Sequence, residues 1–226
     1  MPKGRVVARG PRTAPSRTYN DSVFVNCPFD AEYEPIFHAI VFAIHDCGYV
    51  ARCTLEAYDS GDVRIEKILD IIDQCRLGIH DISRTELNEH SLPRFNMPLE
   101  LGLFLGARRW ERGKTKKITL ILDLEPRRYQ IFCSDIAGQD IQVHKKEPIE
   151  AIKVVRNWLR SAKPRVEIPG GSVIAKRYGE FVEQLPELKK KTQLGEDKLT
   201  FADYVSLLIG WLKQNDWKPF HRHARV

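Results

Sequence analysis

Apolar positions along the chain repeat with two different periods. Between residues 31 and 46 they follow the i, i+3, i+4, i+7 spacing of an amphipathic helix, and Gly48 supplies a stop. Residues 23–25 and 77–82 are instead short stretches rich in apolar side chains and bounded by loop residues, as is typical of buried strands. The chain therefore predicts strands that alternate with helices.

The same two patterns recur along most of the chain. The predicted strands cover residues 23–25, 49–53, 77–82, 117–122 and 141–143. The predicted helices cover residues 31–46, 63–75, 97–109, 148–161, 173–188 and 201–211. The polar connection between the last two strands receives no assignment.

Strands and helices in this order favour right-handed crossovers and an α/β fold with a doubly wound, mainly parallel sheet. Proline and glycine at residues 163–171 indicate a linker. We therefore expect an α/β domain over residues 21–163 and a small helical appendage over residues 172–218. A chain of 226 residues with 42% hydrophobic content can bury a core of that size.

The net charge of +6 is concentrated partly in the first 20 residues, which carry no acid. We expect this segment to be a disordered basic leader that holds phosphates at most weakly. Its arginines are not interleaved with aromatic residues, so a nucleic-acid partner is not expected.

The five cysteines are scattered, odd in number and mostly inside apolar runs, which predicts reduced core thiols. No stretch approaches the roughly 20 apolar residues that span a bilayer, and the N-terminus lacks the apolar core of a secretory signal. We expect a cytoplasmic protein without a membrane partner.

In an open parallel sheet, ligands bind in the crevice beyond the carboxyl ends of the strands. Three polar segments fall at such positions: the loop after the first strand, the loop after the third strand and the start of the next helix. The candidate residues are Asn26, Phe29, Asp30, Asp81, Ser83, Arg84, Asn96 and Glu100.

Glu100 is predicted in the first turn of a helix, next to Gly102, where a carboxylate can stabilise a developing cation. The same position also suits simple helix-dipole complementarity. Asp81 could equally cap a loop at the end of its strand, and Asn26 and Asn96 could be turn and cap residues.

The chain has no phosphate-binding glycine motif and no metal-binding histidine motif, so neither a cofactor nor a metal is expected. Phosphate binding would then fall to arginines, of which the nearest candidates are Arg84, Arg94, Arg127 and Arg128.

Three of these segments together resemble the nucleoside 2-deoxyribosyltransferase and TIR-like superfamily, a Rossmann-like fold that cleaves N-glycosidic bonds. Residues 23–30 are similar to its opening strand and Gly-Pro-Phe type loop, and residues 77–83 to its strand ending in aspartate. Residues 96–107 resemble its glutamate helix. The resemblance covers about residues 20–145; Asn26-Cys27 and the long 84–95 loop depart from it.

The resemblance implies roles for five of the candidate residues. Glu100 would be the catalytic carboxylate, and Asp81 would orient the sugar or the base. Asn26 and Ser83 would bind sugar hydroxyls or phosphate, whereas Phe29 would stack on a base or, equally, belong to the core.

The resemblance also implies a flavodoxin-like or TIR-like sheet and hydrolysis of the nicotinamide–ribose bond of NAD, in a bacterial defence or toxin effector. NAD would be a substrate and not a cofactor. Two alternatives stay open: a module that binds a nucleotide signal without turnover, and a deoxyribosyltransferase. The expected partners are a nucleotide and either further copies of the chain or another protein.

Overall fold

The computed structural model describes residues 17–56, 61, 63–87, 91–112, 114–162 and 167–215. Its strands are β1 (Ser22–Asn26), β2 (Val50–Arg52), β3 (Leu77–Asp81), β4 (Ile118–Asp123) and β5 (Gln142–Val143). Its helices are α1 (Arg17–Asp21), α2 (Glu34–Asp46), α3 (Arg64–Gln74), α4 (Asn96–Trp110), α5 (Pro148–Ala162), α6 (Gly171–Lys191) and α7 (Phe201–Gln214).

All the strand pairs are parallel, and the strands lie in the order β2-β1-β3-β4-β5. Helices α2 and α5 cover one face of this sheet, and α3 and α4 cover the other. This arrangement is the flavodoxin-like doubly wound fold. It confirms the predicted α/β class and the parallel sheet.

The strand order reverses between β1 and β3. Chain connections leave β1 towards one side of the sheet and β3 towards the other, so their exit loops diverge and leave a crevice at the carboxyl edge. Asn26, the last residue of β1, is paired in register with His80 in β3. The predicted site residues therefore belong to the edge where such folds bind ligands.

Adjacent side chains at this edge point to opposite faces, because the side chains of a strand alternate. Phe24 packs with the α3 and α4 cluster, so Asn26, two residues on, faces that side. Leu77 and Ile79 belong to the cluster beneath α2 and α5, so Asp81 faces those helices. Because of this alternation, only candidate residues on the same face of the sheet can contact each other.

The C-terminal helices α6 and α7 pack on the α2 and α5 layer. The ring of Phe42 in α2 contacts Tyr178 and Phe181 of α6 and Trp211 of α7, with centroids 5.4 to 6.1 Å apart. All four rings belong to the same buried cluster as β1 and β3. The predicted appendage thus contributes to the main core.

One detail differs from the sequence expectations, one segment had no assignment, and part of the leader cannot be compared. Asn96 does not cap α4: the amide of Leu99 donates to the carbonyl of Phe95, so the helix begins one residue earlier than that role requires. The unassigned connection contains two short 3-10 turns around a buried Tyr129. Residues 1–16 of the leader lie outside the described residues, and its last four belong to α1.

Candidate functional site

Asn26 joins three elements at the carboxyl edge of the sheet. Its Nδ2 donates to His80 Nδ1 at 3.1 Å and to the carbonyl of Met97 at 2.9 Å, so β1, β3 and the first turn of α4 are tied together. His80 Nδ1 accepts this bond, which leaves the imidazole proton on Nε2. Burial lowers the pKa of His80 to about 3, so the ring stays neutral.

Glu100 lies one turn further along α4 and is only 5% exposed. Within the described part of the chain, no residue donates a hydrogen bond to its carboxylate or forms an ion pair with it. Burial raises the pKa of Glu100 to about 7, and the positive charge of Arg64 opposes this shift. Removing a carboxylate from water is costly, which makes this position unlike an ordinary helix-dipole residue.

Asp81 is completely buried on the opposite face of the sheet. Its Oδ2 accepts a hydrogen bond of 2.5 Å from the hydroxyl of Tyr33, and its Oδ1 accepts one of 2.8 Å from the amide of Ser83. His144 Nε2 lies 3.0 Å from Oδ2, although its N–H is poorly aligned with that oxygen. Asp81 therefore organises the residues around it.

The orientation of His144 is fixed by the turn that follows it. The amide of Lys146 donates to His144 Nδ1 at 3.1 Å, so Nδ1 is occupied as an acceptor and Nε2 lies on the Asp81 side of the ring. Lys145 and Lys146 both have left-handed backbones, with φ of 53° and 59°. Two such residues in succession store strain, which folded proteins tolerate mostly where a side chain must be placed.

The thiol of Cys27 lies close enough to both carboxylates for their charges to affect it. Its thiol is fully buried, and its pKa is raised well above the usual value by burial and then by the negative charges of Asp81 and Glu100. Among the described residues, no hydrogen bond joins Asp81 to Glu100. The structure thus brings both predicted catalytic residues to the same edge but not into contact.

A cavity of about 200 Å³ opens on the side of Asp81, at the carboxyl ends of β1, β3 and β5. It is lined by Glu32, Tyr33, Ile36, Ser83, Arg84, Glu86, Leu124, His144 and Lys146. Two of the predicted substrate-binding residues, Ser83 and Arg84, are among these, whereas Glu100 is not.

Charged side chains close the outer part of this cavity. Arg84 forms a bidentate pair with Asp30, with bonds of 2.6 and 3.2 Å, and donates to Glu32 at 2.8 Å. Arg94 adds a contact of 3.2 Å to Asp30. Desolvation would raise the pKa of Asp30, but hydrogen bonds and the charges of these arginines outweigh it and lower the pKa.

Arg128 is a structural support and not a free phosphate ligand. It forms an ion pair with the buried Asp123 and donates to Thr85 Oγ1 at 2.6 Å and to the carbonyl of Ser83 at 2.8 Å. Burial raises the pKa of Asp123, and the hydrogen bond from Arg128 opposes this shift. These bonds fix the loop that follows β3.

Phe29 and Asn96 are the remaining predicted residues. Phe29 packs edge-on against Phe37 with a centroid distance of 5.2 Å and lines a second cavity of about 260 Å³ beside α7. Asn96 is exposed. Neither is among the residues that line the cavity beside Asp81.

Sequence reasoning missed Tyr33, His144 and Lys146 as site residues. Tyr33 was assigned to the apolar face of a helix, but its hydroxyl reaches Asp81. His144 directly follows β5, so the strand-end rule, applied beyond the first and third strands, would have found it.

The four cysteines Cys27, Cys47, Cys53 and Cys75 are buried and reduced, as predicted, and Cys133 is partly exposed. Within the described ranges, no cluster of three or more His, Cys, Asp or Glu side chains is arranged to hold a metal ion. No helix in those ranges has the length and apolar character needed to cross a membrane.

No family model and no curated protein matches the chain. Among solved structures, the chain is similar to the crystal structure of a diflavin flavoprotein A3 from Nostoc sp., with 16% sequence identity and a TM-score of 0.36. The match covers 63% of this chain and 94% of that chain.

Proposed function

We propose that this chain is a nucleotide N-glycosidase that hydrolyses the nicotinamide–ribose bond of NAD, with Glu100 as the catalytic carboxylate. One observation carries the proposal: Glu100 is buried at the strand-order reversal, forms no hydrogen bond or ion pair with the described residues, and has a pKa of about 7. An anion in such surroundings is stabilised by a positive charge, which a substrate can supply.

The chemistry of the bond fits this arrangement. The ring nitrogen of nicotinamide is cationic in NAD, and the ribose carbon acquires positive charge as the bond breaks. The electron pair of the C1′–N bond goes to the ring nitrogen, and neutral nicotinamide leaves. Water then adds to C1′ and loses a proton, which gives ADP-ribose. A fixed carboxylate beside C1′ stabilises the cationic transition state more than it stabilises the starting state.

The neighbouring residues support Glu100 in different ways. Asn26 binds the carbonyl of Met97 and so fixes the turn that precedes Glu100. Asp81 already accepts hydrogen bonds from Tyr33 and the Ser83 amide, so we assign it an orienting role and not direct attack. The Ser83 hydroxyl lines the cavity beside Asp81, where it would bind a sugar or phosphate oxygen of a substrate that extends beyond C1′.

A direct test incubates the pure protein with NAD and measures free nicotinamide by chromatography. Wild type should release nicotinamide and ADP-ribose, and Glu100→Gln should reduce the rate by at least about 100-fold, because the buried anion is lost. Glu180→Gln, on the exposed surface of α6, is the matched control and should retain the wild-type rate. Full activity in Glu100→Gln would refute the assignment.

The cavity beside Asp81 favours a second candidate, a module that binds a nucleotide signal without turnover. This cavity lies on the face of the sheet opposite Glu100, so it could accept a ligand that never reaches that carboxylate. Calorimetric binding of ADP-ribose, with no product from NAD or nucleosides, would support this candidate. Transfer of deoxyribose to an added free base would instead identify a transferase.

The resemblance in sequence also implies a role in bacterial antiviral defence. An NAD glycohydrolase would act there by depleting the cofactor pool of an infected cell. Expression of wild type should lower cellular NAD and arrest growth, and expression of Glu100→Gln should do neither.

A further inference from the structure

We propose that Arg84 and Lys146 form a binding site for the phosphate group of a phosphorylated pentose, and that the carboxylate of Glu32 fills this site until the ligand displaces it. We call the two cations the Arg84–Lys146 clamp. The proposal does not depend on glycosidic cleavage, because Glu100 does not line this cavity and lies on the opposite face of the sheet.

The clamp is built from three separate strand-end loops. Arg84 follows β3, Lys146 follows β5, and Glu32 follows β1. Arg84 Nη1 lies 2.8 Å from Glu32 Oε2, and Lys146 Nζ lies 3.3 Å from Glu32 Oε1. Each oxygen of one carboxylate thus contacts a different cation. A phosphate group presents oxygens to two cations in the same manner.

Arg84 and Glu32 differ in how firmly they are held. Arg84 is 18% exposed and is fixed by its two bonds to Asp30, so its position does not depend on Glu32. Glu32 is 61% exposed and can turn into solvent. Exposed ion pairs contribute little free energy, so displacement of Glu32 by a doubly charged phosphate is favourable.

The backbone conformation at Lys146 is independent support for a functional role of the clamp. Lys145 and Lys146 are consecutive residues in the left-handed region, which is unfavourable for side chains other than glycine. This turn places the Lys146 amide on His144 Nδ1 and its ammonium group on Glu32. Strain of this kind is maintained where it positions functional groups.

The cavity behind the clamp determines which chemical group could be attached to the phosphate. The Ser83 hydroxyl offers a hydrogen bond, the Tyr33 oxygen can accept one while its O–H donates to Asp81, and Ile36 and Leu124 form an apolar wall. A volume of about 200 Å³ accommodates a pentose ring but leaves little room for a base as well. A phosphorylated pentose, free or as part of a nucleotide with its base outside, is therefore the ligand class.

The test measures calorimetric binding of ribose 5-phosphate, inorganic phosphate and ribose to the full chain at neutral pH. Ribose 5-phosphate should bind more tightly than inorganic phosphate, and ribose should not bind measurably. Glu32→Gln should tighten binding of both phosphates by roughly three- to ten-fold, since it removes the carboxylate that contacts both cations of the clamp. Failure of both phosphates to bind wild type and Glu32→Gln would overturn the proposal.

Two further variants separate the clamp from general electrostatics. Lys146→Asn should weaken phosphate binding at least about five-fold, because asparagine tolerates the left-handed turn but lacks the charge. Glu187→Gln makes the same charge change as Glu32→Gln and breaks an exposed ion pair with Lys190 on α6, so it should leave the affinity unchanged. Equal tightening by Glu32→Gln and Glu187→Gln, or full affinity in Lys146→Asn, would contradict the clamp.

Discussion

The hydroxyl of Tyr33 donates a hydrogen bond of 2.5 Å to Asp81 Oδ2, although the two residues are 48 positions apart in the chain. The bond connects the loop before α2 to the end of β3, beneath the cavity. Burial raises the pKa of Tyr33 well above its usual value, so the phenol remains a donor throughout the accessible pH range. The bond therefore stabilises a carboxylate that has no access to water.

Tyr33→Phe should lower the free energy of unfolding by about 2 kcal/mol, because a hydrogen bond to a buried charge is lost. Tyr178→Phe is a matched control: its hydroxyl donates to the neutral carbonyl of Pro35 at 3.2 Å, and its loss should cost about 1 kcal/mol. Urea unfolding of both variants measures the difference. Equal losses would show that Asp81 does not depend on Tyr33.

The sheet could be predicted from the sequence because each strand carries its own local signal. Residues 77–82, for example, contain three large apolar side chains within a short segment between loops, and β3 lies there. The alternation of strands with helices then restricted the order and direction of the strands. The flavodoxin-like sheet follows from these two constraints.

The partners within the site could not be predicted in the same way. Tyr33 has the spacing of an apolar helix position, and only the position of α2 against β3 shows that its hydroxyl reaches Asp81. Conversely, Asp81 and Glu100 both lie at the correct edge, but the alternation of side chains in β3 directs Asp81 to the face opposite α4. Pairing across faces depends on packing that no local pattern encodes.

Gly78 in β3 should be intolerant of any side chain. A Cβ at this position would lie 2.6 Å from the buried ring of Phe104 and 2.9 Å from His80 Nε2. Gly78→Ala should therefore cost about 2 to 3 kcal/mol of stability, because neither ring has space to move.

Gly102 in α4 provides the contrast for Gly78. No atom lies within 4 Å of the Cβ that alanine would add there, so Gly102→Ala should stabilise the helix by about 0.5 to 1 kcal/mol. Thermal unfolding of the two variants should shift the melting temperature in opposite directions. A stabilised Gly78→Ala protein would contradict the packing of Phe104 on β3.

The raised pKa of Glu100 predicts a pH-dependent cost to stability. The pKa is about 7 in the folded chain and 4.5 in the reference state, so folding favours the protonated carboxyl. This favourable contribution is complete below pH 4.5 and is lost as the pH rises through about 7.

Glu100→Gln removes that titration. It should raise the free energy of unfolding at pH 8 by about 2 kcal/mol, once screening by nearby water is allowed for, and should have little effect at pH 4. Urea unfolding at both pH values measures the effect. A variant less stable than wild type at pH 8 would indicate a partner that holds the ionised carboxylate.

Besides its aromatic contacts, α6 is joined to α2 by an ion pair in which Arg177 Nη1 lies 2.7 Å from Asp46 Oδ1. Asp46 is completely buried, and desolvation raises its pKa while the charge of Arg177 opposes that shift. Arg177→Met keeps most of the side-chain volume but leaves Asp46 without this charge. The free energy of unfolding should fall by about 3 kcal/mol at pH 8, because the buried Asp46 then loses the positive charge that opposes its desolvation.

The same variant should be much less destabilised at low pH. Without Arg177 the folded pKa of Asp46 rises further, so folding favours the protonated acid, and stability falls as the pH rises through that pKa. Urea unfolding should therefore show a smaller difference from wild type at pH 4 than at pH 8. Lys176→Met, which removes an exposed cation 3.7 Å from Glu180, should cost less than about 0.5 kcal/mol at either pH. If Arg177→Met behaved like Lys176→Met, the ion pair would not contribute to the attachment of α6.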